Sequence, residues 1–171
     1  MKKFTFILCL VLCSQLQSQS KAGKKADRIE KANLEYASTK GLINSGTFLF
    51  IADRAIPMGG GRVSLVTIFN QIKFVDGVAD IVLPYFGTVW GGGGYNHQPG
   101  IKFEGVVENY SIDYEDQKRK VQIKFDLKSG TETHNVVLTI RRRGYTSAHV
   151  KSSGRSSITY DGYLNPLPET Q

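Results

Sequence analysis

The chain has 171 residues and a formal net charge of +7, to which Lys2 and Lys3 contribute at the extreme N-terminus. A mild basic excess scattered along a chain suits anionic envelope surfaces. It gives little support to nucleic-acid binding, which gathers cations on one element. Both cysteines, Cys9 and Cys13, fall within the first twenty residues, so the remainder has no disulfide, thiolate nucleophile or cysteine metal ligand.

The N-terminus reads as a secretory signal over residues 1–20. Lys2 and Lys3 form a basic start, Phe4 to Leu12 are apolar apart from Thr5, and "CSQLQSQS" (13–20) follows. Ser18 and Ser20 satisfy the small-residue rule for cleavage before Lys21, and cleavage after Ser18 fits comparably. The apolar core is too short to span a bilayer, so the expectation is an exported protein of the periplasm or cell envelope with no transmembrane segment once processed. A lipid anchor on Cys13 is the competing reading. It is less favoured because Leu12 stands where a lipobox wants a small residue. About 150 residues then remain, enough for one packed core without disulfides.

Residues 21–46 are expected to be helical, with Ile29, Ala32 and Tyr36 at helical spacing and Gly46 as the stop. From Phe48 onward the period is two. "VQIKFDLK" (121–128) alternates cleanly, and His134, Val136, Leu138 and Ile140 continue the inner parity on its partner strand. "QIKFVDGVADIVLPYF" (71–86) predicts a hairpin around Asp76-Gly77. Further strands are expected at 47–56, 63–69, 101–104, 106–115, 145–151 and 156–163. The fold class that follows is mainly β: an antiparallel meander forming a curved sheet, barrel or sandwich, with one N-terminal helix. The β-rich domain covers 47–165 and an extended tail covers 166–171. "LPET" (167–170) lacks the glycine, apolar tail and basic end of a sorting signal.

Several chemistries find no support. The glycines at 91–94 are followed by "YNHQPGIKF", with neither the lysine nor the helix a phosphate loop needs. His97, His134 and His149 lack metal-ligand spacing, so no metal is expected. No Gly-x-Ser-x-Gly elbow occurs, and no cofactor is implied. The candidate ligand-binding residues are the aromatics Tyr85, Phe86, Trp90 and Tyr95 around the glycine run, which suit either a recognition surface or a core edge with a long turn. Arg54 and Glu108 join them because both break the alternation. Arg54 shares the parity of Phe48, Phe50, Ala52 and Ile56, and Glu108 that of Val106, Tyr110, Ile112 and Tyr114. Inward charges must pair or face a wet cavity; a bulge at Gly105 that resets the parity is the alternative. The dense block "RRR" (141–143) reads as a solvated strand end.

Four stretches in this order, "FIADRAIPMGGGRVSL" (50–65), "LPYFGTVW" (83–90), "GIKFEG" (100–105) and "SSITYDGYL" (156–164), resemble the family called domain of unknown function 4251. The resemblance implies a small exported protein of a Bacteroidetes-like Gram-negative bacterium, without an assigned activity and without catalytic residues to carry over. The functional expectation is a non-enzymatic binding domain for a small molecule, glycan or envelope protein. Alternatives are a carboxylate-based enzyme using Glu108 and Asp53 with Arg54, or structural association in the envelope.

Overall fold

A computed structural model describes residues 2–90 and 100–168, with side chains described from residue 23 onward. The chain divides into two compact units, Met1–Glu35 and Tyr36–Gln171. The described residues of the first are helical: helix α1 runs over Lys2–Asn44 and its last turns belong to the second unit. Among the described residues, no helix is long and apolar enough to cross a membrane.

In the second unit α1 stops where its sequence says it should. The Ser45 N–H donates to the Gly41 carbonyl (3.0 Å) and the Gly46 N–H to that of Ile43 (3.1 Å), while Gly46 takes φ +71°, a left-handed conformation that glycine adopts at little cost. A Cβ at Gly46 would lie 2.8 Å from Asp76 Oδ1. The position therefore needs glycine twice over, for conformation and for space.

Among the described residues ten strands follow: β1 (Thr47–Pro57), β2 (Val63–Ser64), β3 (Gln71–Val75), β4 (Val78–Pro84), β5 (Gly100–Val106), β6 (Glu108–Glu115), β7 (Lys120–Ser129), β8 (Glu132–Ile140), β9 (Tyr145–Ser152) and β10 (Ile158–Asn165). They form one sheet in the order β5-β4-β3-β1-β10-β9-β8-β7-β6, with β2 paired to β1. Strands β5 and β6 occupy opposite edges yet are separated in sequence by Val107 alone. One bent length of chain thus pairs with β4 by its first half and with β7 by its second, which curls the sheet into a nearly closed barrel. At the remaining seam Ser129 Oγ donates to the Lys102 carbonyl at 3.4 Å.

The expected mainly β, antiparallel fold with one N-terminal helix is what the structure has, and the barrel form resolves the choice that periodicity left open. Strand β7 buries Val121, Ile123, Phe125 and Leu127, and β8 buries His134, Val136, Leu138 and Ile140, as their alternation dictates. Asp76 (φ 47°) and Gly77 (φ 86°) make the tight β3–β4 turn, whose two positive φ angles match the strand twist. Inside, Phe74 stacks on Phe48 (4.9 Å) and on Tyr110 (5.0 Å), with Phe125 6.1 Å away. Phe48, Phe74 and Phe125 are buried within the barrel, and Tyr110 of β6, 37% exposed, packs over them at its edge.

Three local expectations are corrected. The strand foreseen at 63–69 ends after Ser64. There Leu65 turns inward, and the Asn70 amide bonds the Ala52 N–H (2.7 Å) and carbonyl (3.0 Å) in place of further ladder. Arg54 does not point inward: β1 bulges between Ala52 and Arg54, so the buried parity passes from Ala52 to Ala55. Glu108 is also turned outward, but not through Gly105. Ile101 and Val107 keep one buried parity through Gly105, and the slip comes between Glu108 and Ser111 at Asn109, whose φ of 53° is one asparagine tolerates.

Candidate functional site

The most developed polar cluster lies at the barrel end where β4 finishes, β5 begins and the β9–β10 connection crosses. Arg155, in that connection, is its centre. Its Nε donates to Glu132 Oε1 and Oε2 (2.9 and 3.0 Å). Its Nη1 donates to the Gly100 carbonyl (3.0 Å), and its guanidinium lies 5.3 Å from the Tyr85 ring centroid. Both ionic side chains are largely buried. A planar guanidinium suits this combination because it forks onto oxygen acceptors while its face stacks on an aromatic.

Tyr85 is held as tightly. Its hydroxyl, with one proton to donate, lies within hydrogen-bond distance of the backbone carbonyls of Thr88 (2.9 Å) and Ser156 (2.8 Å) and of Ser156 Oγ (2.8 Å). The site cannot accept a side chain at Gly87, where a Cβ would lie 2.3 Å from Tyr85 Oη. The buried Tyr160 donates its hydroxyl to the Pro84 carbonyl at 2.8 Å, and burial pushes its pKa well up.

His134 completes the cluster from β8. Nδ1 shares a 2.7 Å hydrogen bond with Ser152 Oγ, and Nε2 is 3.9 Å from Glu132 Oε2. Burial holds the imidazole pKa below its ordinary value and Arg155 adds to that, while Glu132 opposes it. Serine, histidine and glutamate side by side in space resemble a hydrolytic relay. Here His134 is 2% and Ser152 9% exposed, so the hydroxyl is shielded from substrate and serves as a buried strut.

The arrangement immobilises two stems. The Trp90 N–H donates to the Gly154 carbonyl (3.0 Å) and the Ser156 N–H to that of Thr88 (2.9 Å), while Arg155 holds Gly100. One short connection, Gly154–Ser156, therefore grips the chain on both sides of residues 91–99. Trp90 is 64% and Phe86 38% exposed. Tyr95, His97 and the glycines at 91–94 lie outside the described residues.

The sequence-derived candidates therefore separate. Tyr85, Phe86 and Trp90 are in this cluster or beside it. Arg54 sits on the outer face of β1, with Nε 3.4 Å from Asp161 Oδ2 of β10. Glu108 sits outside β6, 3.0 Å from Lys128 of β7. Those strands are not neighbours, and each charge has its own cross-strand partner. Among the described residues no three histidine, acidic or cysteine side chains group as a metal site. Pattern reading missed Arg155, Glu132 and Ser156. The available signal was a histidine on a buried parity (His134), and a lone charge in the small-residue run "SSGRSS" (152–157).

Comparison with known proteins agrees with the fold. A crystal structure of a DUF4251 family protein from Bacteroides eggerthii is similar at a TM-score of 0.60 and 12% sequence identity, over 82% of this chain and 93% of that one. No curated protein matches the chain. The family model described as "Domain of unknown function (DUF4251)" matches residues 30–164, and with most of the chain covered, this protein belongs to that family.

Proposed function

We propose that this is an exported protein of a Gram-negative periplasm or cell envelope that binds a small molecule, glycan or protein partner without catalysing a reaction. The Trp90 end of the barrel is its binding surface in this reading. The observation that carries it is the double grip of the Gly154–Ser156 connection, which leaves Trp90 exposed on a stem held by backbone hydrogen bonds and a largely buried ion pair. An aromatic presented on an ordered support loses little entropy when it is covered by a ligand. Export is supported by the basic and apolar start of the chain.

The test is native mass spectrometry of the protein purified without denaturation from the envelope fraction, with N-terminal sequencing of the same sample. The expected result is a chain beginning near Lys21, carrying an associated mass that Trp90→Ala loses. An unprocessed chain in the cytoplasm defeats the export reading. A bare protein whose Trp90→Ala variant behaves identically defeats the binding reading.

A further inference from the structure

The two densest basic runs, "KRK" (118–120) and "RRR" (141–143), are far apart in sequence and adjacent in the fold. Val121 is the cross-strand partner of Ile140, so the turn entering β7 and the turn leaving β8 sit side by side. Together they place Lys118, Arg119, Lys120, Arg141, Arg142 and Arg143 at the barrel end opposite Trp90. Lys118 and the three arginines of the second turn are exposed. Among the described residues, the carboxylates of the β6–β7 turn are Glu115, which pairs with Lys118 (2.8 Å) and with Lys120, and Asp116, which pairs with Lys40 (3.1 Å). Asp113, farther along β6, is paired with Lys124 (2.9 Å). Among the described residues of the two turns, six cations stand against the carboxylates Glu115 and Asp116, so this surface carries a net positive charge whatever local contacts its arginines make.

An apolar rim adjoins it. Ile51, Tyr163 and Tyr145 are successive cross-strand partners on the outer faces of β1, β10 and β9, and the two tyrosine rings meet edge to face at 5.8 Å. Tyr163 is 45% and Ile51 42% exposed. The Arg141 N–H donates to the Tyr145 carbonyl at 2.8 Å, which ties the basic turn to this rim. Exposed cations beside tyrosine and an aliphatic side chain match the two layers of a lipid interface, phosphates outside and the headgroup–acyl boundary beneath. The cations sit on tight turns, without a helix or ribbon shaped for a nucleic-acid groove.

We propose that this end of the barrel is a peripheral contact surface for an anionic lipid membrane. Arg141–Arg143 and Lys118–Lys120 engage lipid phosphates, and Tyr145, Tyr163 and Ile51 rest at the headgroup level. The surface is distinct from the Trp90 end and does not depend on any ligand there.

Hydrogen–deuterium exchange of the full chain is the test, with vesicles of phosphatidylglycerol and phosphatidylcholine in equal parts or of phosphatidylcholine alone. It separates this surface from binding by the apolar N-terminus. The expected result is protection at 116–120 and 140–146 on the anionic vesicles only, lost at about 0.5 M salt where charges are screened within a few ångström. R141Q/R142Q/R143N, with asparagine at the left-handed position 143, should lower partitioning by about tenfold or more. K102Q/K151Q, at the other end, should leave it within about twofold by the same reckoning. Protection confined to residues 1–22, equal binding to both vesicle types, an arginine variant that binds like the parent, or tighter binding to duplex DNA than to vesicles would each overturn the proposal.

Discussion

Arg155 joins an aromatic ring, a carboxylate and a backbone carbonyl, so its replacement should be felt at all three. Arg155→Gln leaves Glu132 largely buried without its counter-charge, at a cost of roughly 3 kcal/mol. Pairing it with Glu132→Gln should recover part of that loss, which urea unfolding of the single and double variants will measure. Gly162 is a steric case. A Cβ there would lie 2.0 Å from the Ile51 carbonyl oxygen, so Gly162→Ala must separate β1 from β10, with an expected loss of about 3 kcal/mol in the same assay. His134 supplies a pH dependence. Its folded pKa lies below the ordinary 6.5, so the fold favours neutral imidazole. That contribution is fully present above pH 6.5 and declines as pH falls below it, because the unfolded chain then takes up the proton first. Urea midpoints at pH 8 and pH 5 should differ less in His134→Gln than in the parent; an unchanged difference would remove His134 as the source.

The end of α1 is clasped to the β6–β7 turn by a small exposed network. Tyr36 donates to Asp116 Oδ1 at 2.7 Å and Lys40 donates to the same oxygen at 3.1 Å, with the Lys40 ammonium 5.0 Å from the Tyr114 ring centroid. Burial and the Asp116 hydrogen bond raise the Tyr36 pKa to about 12. Asp116→Asn should therefore bring one tyrosine back toward ordinary titration in an ultraviolet pH scan. It should also speed amide exchange over 36–44 while leaving global stability little changed, because the pair is exposed. The bulges act at the same scale. Each adds one residue to one strand, and that is enough to turn Arg54 and Glu108 from the interior to outer-face ion pairs. Alternation located β7 and β8 well because neither strand is interrupted. It failed on β1 and β6 because a bulge is chosen by the neighbouring strand, which a local window does not contain.

Across the whole molecule, the single tryptophan reports on one end of the barrel. Trp90 fluorescence in the parent should show water-exposed emission and be readily quenched by acrylamide. Arg155→Gln should alter both by loosening the stems; identical quenching would mean that the stems hold without the ion pair. The amino-acid sequence by itself determined the strand-rich class, the Asp76-Gly77 turn, the helix stop at Gly46 and the absence of cysteine chemistry after residue 20. Those follow from periodicity, turn residues and composition, all of which are local. Only the tertiary structure decided that β5 and β6 join the sheet's two edges into a nearly closed barrel. It also gathered Arg155, Glu132, His134 and Tyr85 at one end and the basic turns of residues 118–120 and 141–143 at the other. Strand pairing brings together residues distant in sequence, and the register that fixes each meeting depends on the partner strand as much as on the strand itself.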